Sequence, residues 1–155
     1  MVRYSDGNTC MKSLVLIVSL FVGLPALAQL HAKEPWAADQ LLSPEKLAEI
    51  IKNTNAAQPI IISVSPGPVI PGSIDVGPTN DKTNLGKLRA QLASLPKDAN
   101  VVIYCGCCPF DKCPNIRPAF NLLNEMGFKN QKLLNLPNNI KIDWINKGYP
   151  VAKLN

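Results

Sequence analysis

Apolar and polar positions along this chain change period several times, and each change marks an element. Leu14 to Leu27 is almost wholly apolar, and residues 29–40 form a polar lead-in. Ser43-Pro44-Glu45 then reads as a helix cap and first turn, with Leu47, Ile50 and Ile51 on one face. Pro59-Ile60-Ile61-Ile62-Ser63-Val64 is a continuous apolar run of strand length, so a buried strand is expected there. Ser65-Pro66-Gly67-Pro68 breaks it, and Val69 to Val76 turns into a short second strand. Leu85, Leu88, Leu92 and Leu95 recur at helical spacing up to Pro96. Val101 to Tyr104 is another buried strand, rich in β-branched residues. A loop comes next, and then a helix carrying Ile116, Ala119, Phe120, Leu123 and Met126, with Gly127 as its stop. Lys132 to Leu136 reads as a further strand. Pro137-Asn138-Asn139 leads into a short helix with Ile140, Trp144 and Ile145, ended by Gly148. Strands alternating with helices predict an α/β domain, with a central parallel sheet and helices on both faces as three layers.

The length of 155 residues changes little, since the residues after the apolar run suit one core. The run itself comes after Lys12 and ends in Ala26-Leu27-Ala28, a small-x-small cleavage pattern. Residues 1–28 therefore read as a signal peptide, with residues 1–10 a start-site extension ahead of Met11. Residues 41–155 form the single domain. The run is short for a membrane span and polar sequence succeeds it at once, so no stable span is expected after cleavage, and the location expected is periplasmic or secreted. The net charge of +5 comes from lysines scattered singly along the chain. No basic cluster interleaved with aromatics occurs, which argues against nucleic acid as a partner. The oligomeric state is not legible.

The cysteines change the picture most. All of them except Cys10 fall between Cys105 and Cys113, in the loop that joins the Val101 strand to the Ile116 helix. Loops at the carboxyl ends of parallel strands are where α/β proteins bind ligands. A cysteine facing the free N–H groups of the next helix is favoured as thiolate, and Lys112 and Arg117 add positive charge against Asp111 alone. Sulfur chemistry is the expectation.

The order of elements from Leu41 to Val151 resembles the rhodanese (sulfurtransferase) family. Ile61-Ile62-Ser63-Val64 is similar to its first core strand, and Ile70-Pro71-Gly72-Ser73-Ile74 to its isoleucine-proline-glycine-alanine-isoleucine turn. Val102-Ile103-Tyr104-Cys105 resembles the strand that ends in the catalytic cysteine. Gly127-Phe128, Leu134, Leu136, Trp144 and Gly148-Tyr149-Pro150-Val151 are similar to the C-terminal pattern. The resemblance implies that Cys105 attacks the outer sulfur of a small donor, thiosulfate or a persulfide, and holds it as a persulfide. A thiol or cyanide acceptor then removes it. Gly106, Cys107, Cys108, Lys112, Asn115 and Arg117 would form the loop around the anionic sulfur, a role suited to N–H groups at a helix start. Several positions depart from the family. The loop is longer by roughly five residues, and extra length at a site is usually functional. The arginine that ends the family's loop falls at Asn115, the histidine before the turn at Val69, and the strand-end aspartate and arginine at Ser63 and Ser65.

Cys107, Cys108 and Cys113 keep several uses open on sequence. A structural disulfide would suit an oxidising compartment, and a thiol that resolves a persulfide or disulfide at Cys105 would suit catalysis. A four-thiolate metal site is disfavoured because Cys107 and Cys108 are adjacent and zinc sites favour spaced pairs, so neither metal nor cofactor is expected. Haem attachment is excluded because Pro109 comes directly after the C-x-x-C spacing, and a Cys–His catalytic pair is excluded because His31, the only histidine, lies beside the signal region. The alternatives to a sulfurtransferase are a thiol–disulfide or metal-handling module, and a non-catalytic binding domain of the same fold.

Overall fold

The computed structural model describes residues 34–153; the apolar run, its cleavage pattern and residues 29–33 of the lead-in lie outside the described residues. The elements in chain order are β1 (Leu41–Leu42), α1 (Pro44–Lys52), β2 (Ile60–Ser63), β3 (Ile74–Asp75) and α2 (Lys82–Ala93). Then come β4 (Val101–Tyr104), α3 (Ile116–Glu125), β5 (Lys132–Leu134) and α4 (Ile140–Asp143). The strands make one sheet in the order β1-β5-β4-β2-β3, and every pairing is parallel. β4 is the middle strand, so its carboxyl end opens at the centre of one sheet edge.

Alternate residues of a strand face opposite sides of the sheet, and both sides here are apolar. Ile62, Val101, Ile103 and Leu133 pack with Leu88 and Leu92 of α2 and with Ile116, Ala119, Phe120 and Leu123 of α3. Ile61, Val102, Tyr104 and Leu134 pack on the other side with Leu47 and Ala48 of α1 and with Leu136 and Trp144. The fold is therefore the expected three-layer α/β arrangement around a parallel sheet. Neither face of β4 could tolerate a polar swap, because all of its residues are buried.

Local chemistry sets the helix starts. Ser43 Oγ accepts from Lys46 N at 3.2 Å with Pro44 in the first turn, as its sequence suggests. Asp81 Oδ1 caps α2 by accepting from Thr83 N at 2.7 Å and Asn84 N at 3.2 Å. α3 is preceded by its N-cap Asn115, whose side chain makes no cap bond, and Gly127 stops the segment with φ +78.

The structure departs from the sequence pattern in detail. β1 has only two residues, and its register is set by Leu41 opposite Leu133 and Leu42 opposite Leu134. Two residues carry no period, and the partner strand lies far along the chain. α2 ends at Ala93, ahead of Leu95 and Pro96, and β5 ends at Leu134 instead of Leu136. The last helix is two pieces, α4 and a 3-10 turn over Ile145–Lys147, separated by Trp144, whose indole donates to Pro150 O at 2.7 Å. The buried ring (0% exposed) sits at the break, where the Trp144 backbone leaves helical geometry (φ -127, ψ -63).

Candidate functional site

Tyr104 and Cys105 leave β4 in opposite directions. The Tyr104 hydroxyl accepts from Val69 N at 2.9 Å and Ile70 N at 3.3 Å, and lies 3.2 Å from Ser73 Oγ. It thereby holds the 69–73 turn on one side of the sheet. Cys105, 1% exposed, belongs instead to the cluster on the α2–α3 side. The loop then passes through Gly106, whose carbonyl accepts from Ile140 N at 3.1 Å, and bends at Cys107 and Cys108. A Cβ on Gly106 would lie 2.8 Å from Ile140 Cβ and Cγ2, so this position requires glycine through close approach.

The bend gathers the sulfurs. Cys105 Sγ lies 3.3 Å from Cys107 Sγ, and Cys107 Sγ lies 3.3 Å from Cys108 Sγ. Cys113 returns from the 3-10 turn over Phe110–Lys112, and the sulfurs of Cys105, Cys107 and Cys113 all lie within 4.8 Å of one another. All four loop cysteines are free thiols. Exposure grades outward: Cys105 and Cys113 are buried, Cys108 is half-buried and Cys107 is exposed.

Asn115 completes the arrangement. Its Nδ2 reaches Cys105 Sγ at 3.5 Å, while its Oδ1 accepts from Asn80 N at 3.2 Å. A backbone N–H is only a donor, so that bond fixes which end of the amide faces the sulfur. Thr79 Oγ1 donates to the Asn115 backbone carbonyl at 2.5 Å, so of two residues in the loop between β3 and α2 one holds the Asn115 backbone and the other its amide. The sequence identifies Asn115 as a loop residue but not Thr79 and Asn80, which read there as a polar connection. Their role depends on a fold that brings residues 79 and 115 together, and no local signal records it.

The negative charge settles on Cys105. Its thiol is drawn from the usual 9.0 down to about 5, first because the Cys113 thiol bonds to it. Burial opposes this, and the Asn115 amide and the Cys107 backbone and side chain reinforce it. Cys107 is pushed up to about 12, by burial first and then by its bonds with Cys108 and Cys105. Cys113 is also pushed up, first because it donates to Cys105. The thiolate is thus favoured at Cys105, while Cys107 and Cys113 are favoured as thiols.

Lys112 and Arg117 are not among the groups that stabilise that thiolate. Lys112 is exposed on the 3-10 turn. The Arg117 guanidinium donates to the Glu34 carboxylate and to Asp111 O, the latter at 2.6 Å, and lies 5.6 Å over the Trp36 ring. Trp36 also packs edge-on against Phe120, with centroids 5.8 Å apart, and against Phe110 at 6.0 Å. Arg117 thus fastens the lead-in and the 3-10 turn to α3. Sequence spacing could not show this, since the charge that engages Arg117 lies far upstream.

A hollow of about 360 Å³ opens at the opposite ends of the strands, lined among others by Leu42, Ile50, Pro59, Val101 and Lys132. It is mostly apolar and holds no thiol, so its size does not make it the seat of the chemistry. Among the described residues no helix is long and apolar enough to cross a membrane. Compared with known proteins, the chain matches no family model and no curated protein.

Proposed function

We propose that the protein is a sulfurtransferase of the rhodanese type, with Cys105 as its nucleophile. The observation that carries this reading is the placement of Cys105: its sulfur ends the central strand, with the Asn115 amide at 3.5 Å and a second thiol at 3.3 Å. Donors converging on one sulfur suit a group that must carry negative charge before and after transfer.

With thiosulfate as donor, the Cys105 sulfur attacks the outer sulfur and forms a new S–S bond. The S–S bond of thiosulfate breaks and sulfite leaves with the electron pair. An acceptor thiolate or cyanide then attacks the outer sulfur of the persulfide, and Cys105 departs as thiolate. No oxidant is consumed. The exposed Cys107 marks the side from which a small donor reaches the buried sulfur. Export by the 1–28 segment belongs to the same reading, and N-terminal sequencing of periplasmic protein should begin at or near Gln29.

Incubation of reduced protein with thiosulfate should add the mass of one sulfur atom to the peptide containing Cys105, and cyanide should remove it. Cys105→Ser should abolish the gain. A gain that persists in Cys105→Ser, or no gain in the wild type, refutes the reading. A second reading has one specific support, the 3.3 Å separation of Cys105 and Cys107, which suits disulfide formation driven by an external disulfide oxidant. Loss of two hydrogens in place of sulfur gain, mapped to that pair, would select it.

A further inference from the structure

The sulfurs of Cys105, Cys107 and Cys113 are arranged as donors around one point. They lie within 4.8 Å of one another. A thiolate bound to a soft first-row cation sits about 2.3 Å from it, which places the sulfurs of a trigonal site about 4 Å apart. The 3.3 Å between Cys105 and Cys107 need open only slightly to reach that spacing. On sequence, the adjacency of Cys107 and Cys108 argues against a metal. Folding removes the objection, because Cys113 and not Cys108 completes the close set.

The three donors are also held by separate pieces of backbone. Cys105 is anchored by β4, and Cys113 by the 3-10 turn, where its N–H reaches Phe110 O at 3.4 Å. Cys107 lies at the bend that follows Gly106, which brings its sulfur within 3.3 Å of Cys105 Sγ. The set contains sulfur alone, and such a donor set selects thiophilic cations over magnesium, calcium or manganese. Zinc is held almost always by four ligands in structural sites, whereas Cys108 lies outside the mutually close set. The exposed Cys107 supplies a route inward, since a cation can exchange onto that thiol before the two buried ones engage.

We propose that, in the reduced protein, Cys105, Cys107 and Cys113 bind one monovalent copper ion in a three-coordinate, all-sulfur site. Binding displaces the thiol protons to solvent and leaves the oxidation states of copper and sulfur unchanged. The ion occupies the sulfur that would carry a persulfide, so metal loading and sulfur loading exclude each other. The site goes beyond the sulfurtransferase reading and does not depend on it.

The test is an anaerobic titration of the reduced full chain with monovalent copper against a chromophoric copper chelator, with no sulfur donor present. One equivalent should bind with a sulfur-to-copper absorption in the ultraviolet. Cys105→Ser, Cys107→Ser and Cys113→Ser should each weaken it on the order of a hundredfold, and Cys108→Ser by no more than about threefold. Circular dichroism checks that each variant folds. Independently of any variant, copper-loaded wild type should protect Cys105, Cys107 and Cys113 from alkylation, as read by mass mapping, while Cys108 is modified. Protection of the Cys107–Cys108 pair alone, no protection at all, or tighter zinc binding that requires Cys108 overturns the proposal. A chain that binds copper as described but never takes up sulfur would refute the sulfurtransferase reading and leave the metal site standing.

Discussion

Gly106→Ala tests how tightly the thiol loop is fitted to the rest of the domain. The added methyl would lie 2.8 Å from both Ile140 Cβ and Cγ2, against a comfortable separation of about 3.5–4.0 Å between carbons. Ile140 cannot simply withdraw. Its N–H is bonded to Gly106 O at 3.1 Å, and the next turn is capped by Asn139 Oδ1, which accepts from Ile142 N at 3.0 Å. Overpacking of this kind costs about 1–3 kcal/mol, and loss of the Gly106–Ile140 bond adds about 1 kcal/mol. The stiffer unfolded chain returns about 0.4–1 kcal/mol. A net loss of about 1–3 kcal/mol is therefore expected, read as a lower urea midpoint at unchanged slope. Ile140→Gly in the same background removes both clashing carbons. The double variant should be more stable than the sum of the two single changes predicts, by about 1–3 kcal/mol. If Gly106→Ala matches wild type within about 0.5 kcal/mol, or the double variant shows no such coupling, the close approach is not what holds the loop.

Three other outcomes rest on the geometry. Asn115→Ala removes the amide donor to Cys105 and should slow sulfur loading from thiosulfate by roughly tenfold or more, measured as mass gain against time; an unchanged rate would remove Asn115 from the site. Tyr104→Phe leaves the Val69 and Ile70 N–H groups without their acceptor and should cost about 1–3 kcal/mol in a urea melt. The carboxyl of Asp81 is held below its usual 3.8 by the N–H groups of Asn84 and then Thr83. A lowered folded value means that its contribution to stability is complete above the unfolded value and lost as pH falls through the folded one. The melting gap between wild type and Asp81→Ala should therefore be constant near neutrality and close below pH 3.8; a gap that persists in acid refutes the cap.

The parts of the fold that were legible in sequence are those with a repeated local signal. The Ile60 and Val101 runs, the Ser43-Pro44 start and the Gly127 stop state their own conformations. β1 was not legible, because two leucines become a strand only when β5 lies beside them. The site divides in the same way. Cys105 at a strand end is a local statement, and the clustering of cysteines between residues 105 and 113 is visible by eye. The partners that orient it are not. Asn80 and Thr79 reach Asn115 across the sheet end, and Glu34 reaches Arg117 from the lead-in. Such pairings depend on tertiary placement, which single-residue chemistry does not encode. The same holds for Arg117, whose carboxylate partner Glu34 lies far upstream in sequence.

The opposite directions of Tyr104 and Cys105 bear on how this chain can vary in length. Residues added between Cys108 and Cys113 would lengthen the arc of the loop while Cys105 stayed fixed by the strand behind it. One residue added within Val101–Tyr104 would do something else entirely. Strand phase would invert, the phenol would take the place of the Cys105 side chain, and the thiol would shift to the other face of the sheet. Insertions should therefore be tolerated in the arc after Cys108 and nowhere across the strand that leads into Cys105 or the closely fitted Gly106.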